Sequence, residues 1–147
     1  VANIAFQADV NTCNLLRTAA AFGCKEYFVI GSPKWNHEGT AKVEHYTKLT
    51  HFPNPSKFLQ HIWENTSYTL FSVEQTERSN NVVDFVYEDC INPLFVMGNE
   101  TTGVPNEILH HSKHLEIPMP GITPCLNVAM AGGIVIYDYY TKMRNRS

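Results

Sequence analysis

Short apolar runs alternate with stretches of helical spacing along most of the chain. Ala2 to Phe6 reads as a short buried strand. Asn11 to Phe22 sets Leu15, Leu16, Ala19, Ala20 and Phe22 at helical spacing, and Gly23 marks a stop. Tyr27 to Ile30 is a second strand, closed by Gly31-Ser32-Pro33. Gly39 to Tyr46 reads as a short helix and Leu49 to Phe52 as a short strand. A helix begins at Ser56 after Pro55 and buries Phe58, Leu59, Ile62 and Trp63. Strands follow at Tyr68 to Val73 and at Leu94 to Met97, the latter ending at Gly98. Pro105 opens a short helix to His111, because its missing N–H costs nothing in a first turn. Leu115 to Ile117 is the last strand, and Leu126 to Met143 is a closing helix. This alternation predicts an α/β fold with a mostly parallel sheet and helices on both faces.

Folds of this kind collect ligands where strands give way to loops at their carboxyl ends. Three such ends carry unusual residues: Val73-Glu74-Gln75-Thr76, Gly98-Asn99-Glu100-Thr101-Thr102-Gly103 and Pro118-Met119-Pro120-Gly121. Any one alone reads as turn chemistry. Three at one edge predict a site.

Composition narrows the class. The 147 residues suit a single domain, 1–147, with a hydrophobic core. Apolar residues are 44% and charged residues 17%, which argues against intrinsic disorder. Lys and Arg number 11 against 14 Asp and Glu, a net charge of -3. Binding to nucleic acid by bulk positive charge is therefore disfavoured, while a local basic groove is compatible. Cys13, Cys24, Cys90 and Cys125 form no C-x-x-C pair, so a reducing, cytoplasmic setting is expected. No apolar run approaches a membrane span, and no signal peptide is recognisable. The first residue is Val1 rather than Met, which suggests a piece of a longer protein.

Three segments carry candidate chemistry. In Asn11 to Ala19, Arg17 interrupts an apolar helix, with Asn14 on the same face. Its guanidinium can grip a phosphate through a fork of donors, or lie along the surface and pair with a carboxylate. In Leu94 to Val104, a strand runs into a loop with glycines on both sides of Glu100, which lets backbone amides approach a ligand. No Lys follows Gly103, so this is not a P-loop, and no G-x-G-x-x-G occurs. In Ile117 to Val128, Pro and Gly lead into a helix start, with Asn127 in the first turn. Ala129, Ala131, Gly132 and Gly133 then allow close packing on another backbone or a second subunit.

In this order and at these separations, the segments resemble the SpoU/TrmH family of SPOUT RNA methyltransferases. The family's N-x-G-x-x-x-R-T-A, followed by F-G, is matched by Asn11 to Ala19 and Phe22-Gly23. Its G-N-E-x-x-G is matched by Gly98 to Gly103. Its I-P-M-x-G and S-L-N-V are matched by Ile117 to Gly121 and Cys125 to Val128. Two positions depart: Cys13 stands for the usual Gly, and Cys125 for the usual Ser. A thiol is a poorer hydrogen-bond partner than a hydroxyl, and Cys125 is expected to pack as a small buried residue.

The resemblance implies a C-terminal deep trefoil knot, which general topological rules do not predict. It implies S-adenosylmethionine as cofactor, held by Val73, Gly98, Ile117, Met119, Cys125 and Leu126. It implies a homodimer with the closing helix at the interface. The implied reaction is methyl transfer to a ribose 2′-hydroxyl of RNA, which needs alignment and no metal. Arg17 matches the catalytic arginine; a guanidinium holds its proton too tightly to be a ready base, so it is expected to grip phosphate and favour the alkoxide. Asn11, Glu100 and Asn127 would orient Arg17 and the ribose. Small members act on tRNA, at the D-loop or the wobble nucleotide. The Asn11 to Arg17 string looks like the wobble type, and Val73 to Thr76 like the D-loop type. The rival reading is a non-catalytic SPOUT-like dimer that binds RNA or cofactor. Cys13 and Cys125 favour it; Arg17, Glu100 and Asn127 argue against it.

Weaker signals remain. His110, His111 and His114 are expected at the surface near a helix end rather than around a metal. Trp35 is able to stack a base, whereas Trp63 is expected on a helix core face. Lys142, Arg144 and Arg146 form a basic tail, and His37, Lys42 and His45 lie in a loop-like region.

Overall fold

A computed structural model describes residues 1–31, 42–87 and 92–146, with the backbone alone described at Glu44. Its strands are β1 (Ala2–Ile4), β2 (Glu26–Ile30), β3 (Lys48–Phe52), β4 (Thr69–Val73), β5 (Asn80–Asn81), β6 (Pro93–Met97) and β7 (Lys113–Glu116). Its α-helices are α1 (Asp9–Ala21), α2 (Pro55–Asn65), α3 (Asn106–Leu109) and α4 (Val128–Arg144). The sheet order is β3-β2-β1-β6-β4-β7-β5, and every pairing in it is parallel.

The central strands are mostly apolar because both sheet faces are covered. Alternation along β2 shows this directly. Phe28 and Ile30 join Phe58, Leu59 and Ile62 of α2 and Ile108 of α3. Tyr27 and Val29 face the other way, onto Leu15, Leu16 and Ala19 of α1 and Ala129 and Ile136 of α4. On β6, Leu94 and Val96 join the first cluster and Met97 the second. A third cluster sets Phe71, Val82, Tyr87, Phe95 and Leu115 against Val135 of α4. Asn3, fully buried, accepts from the Tyr27 hydroxyl at 2.6 Å, so that polar pair satisfies itself inside the core.

Local sequence explains the helix starts. Asn54 caps α2 by accepting from Lys57 N–H at 2.9 Å, with Pro55 behind it. Asn127 caps α4, accepting from Ala129 and Met130 N–H at 2.9 and 3.2 Å. The closing helix therefore begins at Val128, two residues later than the apolar run from Leu126 suggests, and Asn127 stands before the first turn rather than in it. At Gly132 a methyl would lie 2.5 Å from Leu15 Cδ1, so glycine is what lets α4 press onto α1.

Other expectations are corrected. Trp63 is 59% exposed and meets the edge of His111 instead of a core face. Only Phe58, Leu59 and Ile62 of α2 are buried. The short helix expected from Gly39 reduces, among the described residues, to a 3-10 turn at Val43–His45. Residues 39–41, Trp35, His37 and Cys90 lie outside the described residues. The helix after Pro105 ends at Leu109, and β7 starts at Lys113. His114 is thus a strand residue, 4% exposed, rather than a surface residue at a helix end.

Candidate active site

The loop after β6 is a closed ring of backbone bonds. Asn99 N–H donates to Gly103 O at 3.2 Å, and Gly103 N–H returns to Asn99 O at 2.9 Å. The Asn99 side chain folds the turn by accepting from Thr101 and Thr102 N–H, and it donates to Ala5 O at the end of β1. Both glycines are required. A methyl at Gly98 would collide with the Gly103 carbonyl carbon, and Gly103 has φ +71°.

This ring carries Glu100 outward to the start of α1. Glu100 Oε2 accepts from Gln7 N–H and Oε1 from Asn11 Nδ2, both at 2.9 Å. Asn11 Oδ1 in turn accepts from Asn127 Nδ2 at 3.0 Å. Each amide is oriented by its neighbours: a carboxylate only accepts, so Asn11 must donate to it and accept from Asn127. Partial burial of Glu100 opposes its ionisation. The N–H groups of Gln7, Glu100 and Ala8 and the Asn11 side chain outweigh that and hold its carboxyl below the ordinary value.

A cavity of about 460 Å³ opens at the carboxyl ends of β4, β6 and β7. Its size falls within the usual range for small-molecule sites. Val73, Gly98, Ile117, Met119, Cys125 and Leu126, the six residues expected to hold cofactor, all line it, as do Glu100 and Asn127. Cys125 is exposed, not packed inside, so its small size serves the cavity wall rather than a core. Glu74 and Glu116 also line the cavity. Neither was singled out as a site residue, although their strand-end positions were the available signal. Among the described lining residues three are carboxylates and none is basic. Apolar walls with acidic edges suit a ligand that combines apolar surface with positive charge.

Asn11 sits beside the cavity, hydrogen-bonded to two of its lining residues. Arg17 is not brought to them. Six residues on, it is advanced by about 9 Å and turned away from Asn11. It is exposed, with no hydrogen bond or ion pair among the described residues. The closing helix α4 exposes Met130, Ile134, Tyr137 and Tyr140, and Phe22, just after α1, packs edge-on against Tyr137. The three histidines do not converge: His110 and His111 are exposed, whereas buried His114 bonds to Thr76 and Leu109 O. Among the described residues no group of three His, Cys, Asp or Glu is placed to hold a metal ion.

The model of the SpoU rRNA Methylase family matches residues 1–137. A tRNA (guanosine(18)-2′-O)-methyltransferase of Aquifex aeolicus is 31% identical over 90% of this chain and 61% of its own length. The tRNA (guanosine(18)-2′-O)-methyltransferase TARBP1 of Mus musculus is 28% identical over 88% of this chain, which spans 8% of that protein. The SpoU methyltransferase AviRb of Streptomyces viridochromogenes, solved in complex with AdoMet, superposes with a TM-score of 0.85 at 19% identity, covering 98% of this chain and 60% of its own.

Proposed function

The chain belongs to the SpoU rRNA methylase family, and on that footing we propose that it is an S-adenosylmethionine-dependent RNA ribose 2′-O-methyltransferase acting on tRNA. The D-loop guanosine is the favoured target, because both curated relatives are named for guanosine 18. The observation that carries the reading is the Glu100–Asn11–Asn127 chain at the edge of an acidic, strand-end cavity.

The residues present fit the cofactor. Val73, Ile117, Met119 and Leu126 offer apolar wall to the adenine, Gly98 lets backbone approach, and Cys125 adds little bulk. When bound, the cofactor would supply an electrophilic methyl on a cationic sulfur, with the neutral thioether as leaving group. Glu100, Asn11 and Asn127 fix the loop, the α1 start and the α4 start relative to one another, so the ribose meets a preorganised edge. The exposed Arg17 guanidinium, turned away from its own chain's cavity, is assigned to the partner's cavity in the proposed homodimer, where it grips the phosphate beside the target ribose and favours the developing alkoxide. Water or a phosphate oxygen takes the hydroxyl proton.

The finer features belong to the same proposal. The unit is one methyltransferase domain over residues 1–147, working as a homodimer through the exposed apolar face of α4. Family membership supports a C-terminal trefoil knot. A cytoplasmic location is proposed, supported by the thiols of Cys24 and Cys125, which form no disulfide among the described residues.

The test is Arg17→Ala, with cofactor binding and methyl transfer to total tRNA measured separately and the labelled nucleoside identified. Lost transfer with intact binding supports the proposal, and unimpaired transfer contradicts it. Wild-type protein that binds cofactor and RNA but labels no nucleoside would instead be a non-catalytic module.

A further inference from the structure

Glu74, at the carboxyl end of β4, is fixed from several sides. Its Oε2 accepts from Val104 N–H at 2.9 Å and fills the space beside Gly103, where a methyl would lie 2.5 Å from that oxygen. Its own N–H donates to Leu115 O at 3.0 Å, and its carbonyl accepts from the Ser79 hydroxyl at 2.6 Å. Ser79 accepts from Thr76 N–H at 2.8 Å, and the Thr76 hydroxyl shares a 2.7 Å hydrogen bond with Nδ1 of buried His114. His114 Nε2 lies 2.8 Å from Leu109 O and 3.2 Å from Arg78 Nη2, so the imidazole is held at both nitrogens. A half-buried carboxylate is thus held rigidly in the cavity wall, while its second oxygen, Oε1, takes no hydrogen bond among the described residues.

A carboxylate anchored through one oxygen presents the other as a preorganised acceptor. The cavity offers no lining Lys, Arg or His to occupy it among the described residues. Glu100, another lining carboxylate, is already engaged by Gln7 and Asn11. We propose that Glu74 is a specificity-determining residue of the S-adenosylmethionine site, its Oε1 accepting from a donor of the cofactor, either a ribose hydroxyl or the methionyl ammonium. This rests on the cofactor assignment made above.

Glu74→Gln separates this role from the structural one. The amide oxygen still accepts from Val104 N–H, so the latch to the Gly103 loop survives. The amide nitrogen then replaces Oε1 and confronts the cofactor's donor with a donor. Calorimetric titration with S-adenosylhomocysteine should show Kd raised about tenfold or more in Glu74→Gln, with the unfolding midpoint close to wild type. The same titration with 5′-methylthioadenosine, which lacks the ammonium, distinguishes the donors. A penalty that persists assigns the ribose, one that disappears assigns the ammonium, and each supports the proposal. Wild-type affinity in Glu74→Gln, with loss only in Glu74→Ala, would reduce Glu74 to a latch and overturn it. Failure of the wild-type protein to bind either compound would overturn the cofactor assignment itself, and this proposal with it.

Discussion

Asn11 and Glu100, 89 residues apart in sequence, meet through a 2.9 Å hydrogen bond from Nδ2 to Oε1. That bond ties the first turn of α1 to the loop after β6, and Asn127 extends the tie to the cap of α4. Three separate sequence motifs thereby become one object. Asn11→Ala would leave Glu100 Oε1 and Asn127 Nδ2 without this partner. Asn11 is 7% exposed, so water replaces it poorly. The expected cost is about 1–3 kcal/mol of stability, measured by chemical denaturation, with weakened methyl transfer.

The depressed pKa of Glu100 has a defined consequence for stability. Its carboxyl is held below the unfolded value of 4.5, so the folded state favours the ionised form. The contribution is fully present above the unfolded value and is lost as pH falls through the lower, folded value. The stability gap between wild type and Glu100→Gln should therefore be constant above about pH 5 and shrink on acidification. Denaturation midpoints across pH 3–7 would check this, and a gap that widened towards acid would contradict it.

The two glycines of the loop should respond differently to alanine. At Gly103 the added methyl meets the end of the Glu74 side chain and also demands φ +71° from an L-residue. The backbone strain alone costs roughly 1–2 kcal/mol. At Gly98 the obstacle is backbone, which cannot swing aside. Gly98→Ala is expected to lower the melting temperature more than Gly103→Ala, and both should weaken cofactor binding.

Much of this arrangement is legible in the sequence, and the exceptions have physical causes. Apolar runs mark β2, β4 and β6 because buried parallel strands carry no polar face. The two-residue strand β5, Asn80–Asn81, contains no apolar residue and leaves no pattern to read. His114 was misplaced because an i, i+4 spacing from His110 assumes a continuing helix, whereas the chain turns into β7 at Lys113. Trp63 lies four positions beyond Leu59, about 40° round the helix and at the margin of the buried stripe, so spacing alone does not reveal that it faces outward. Strand-end position points to the cavity-lining residues, Glu74 among them, but only the pairing of β4 with β7 shows that Glu74 and Glu116 line the same cavity.

The exposed apolar face of α4 should be the homodimer interface. Met130 and Tyr137, 65% and 56% exposed, lie seven residues apart on one side of the helix. Met130→Glu with Tyr137→Lys removes apolar surface and adds charge there. Sedimentation velocity is expected to show a dimer for wild type and a monomer for the double variant; a wild-type monomer would contradict the interface.

The most direct measurement uses two tRNA substrates, one unmodified and one carrying 2′-deoxyguanosine at position 18, with labelled S-adenosylmethionine. Methyl transfer to a ribose 2′-oxygen of the D-loop predicts label in the first, recovered as 2′-O-methylguanosine, and none in the second. Equal labelling of both, or label recovered on a base, would contradict the account.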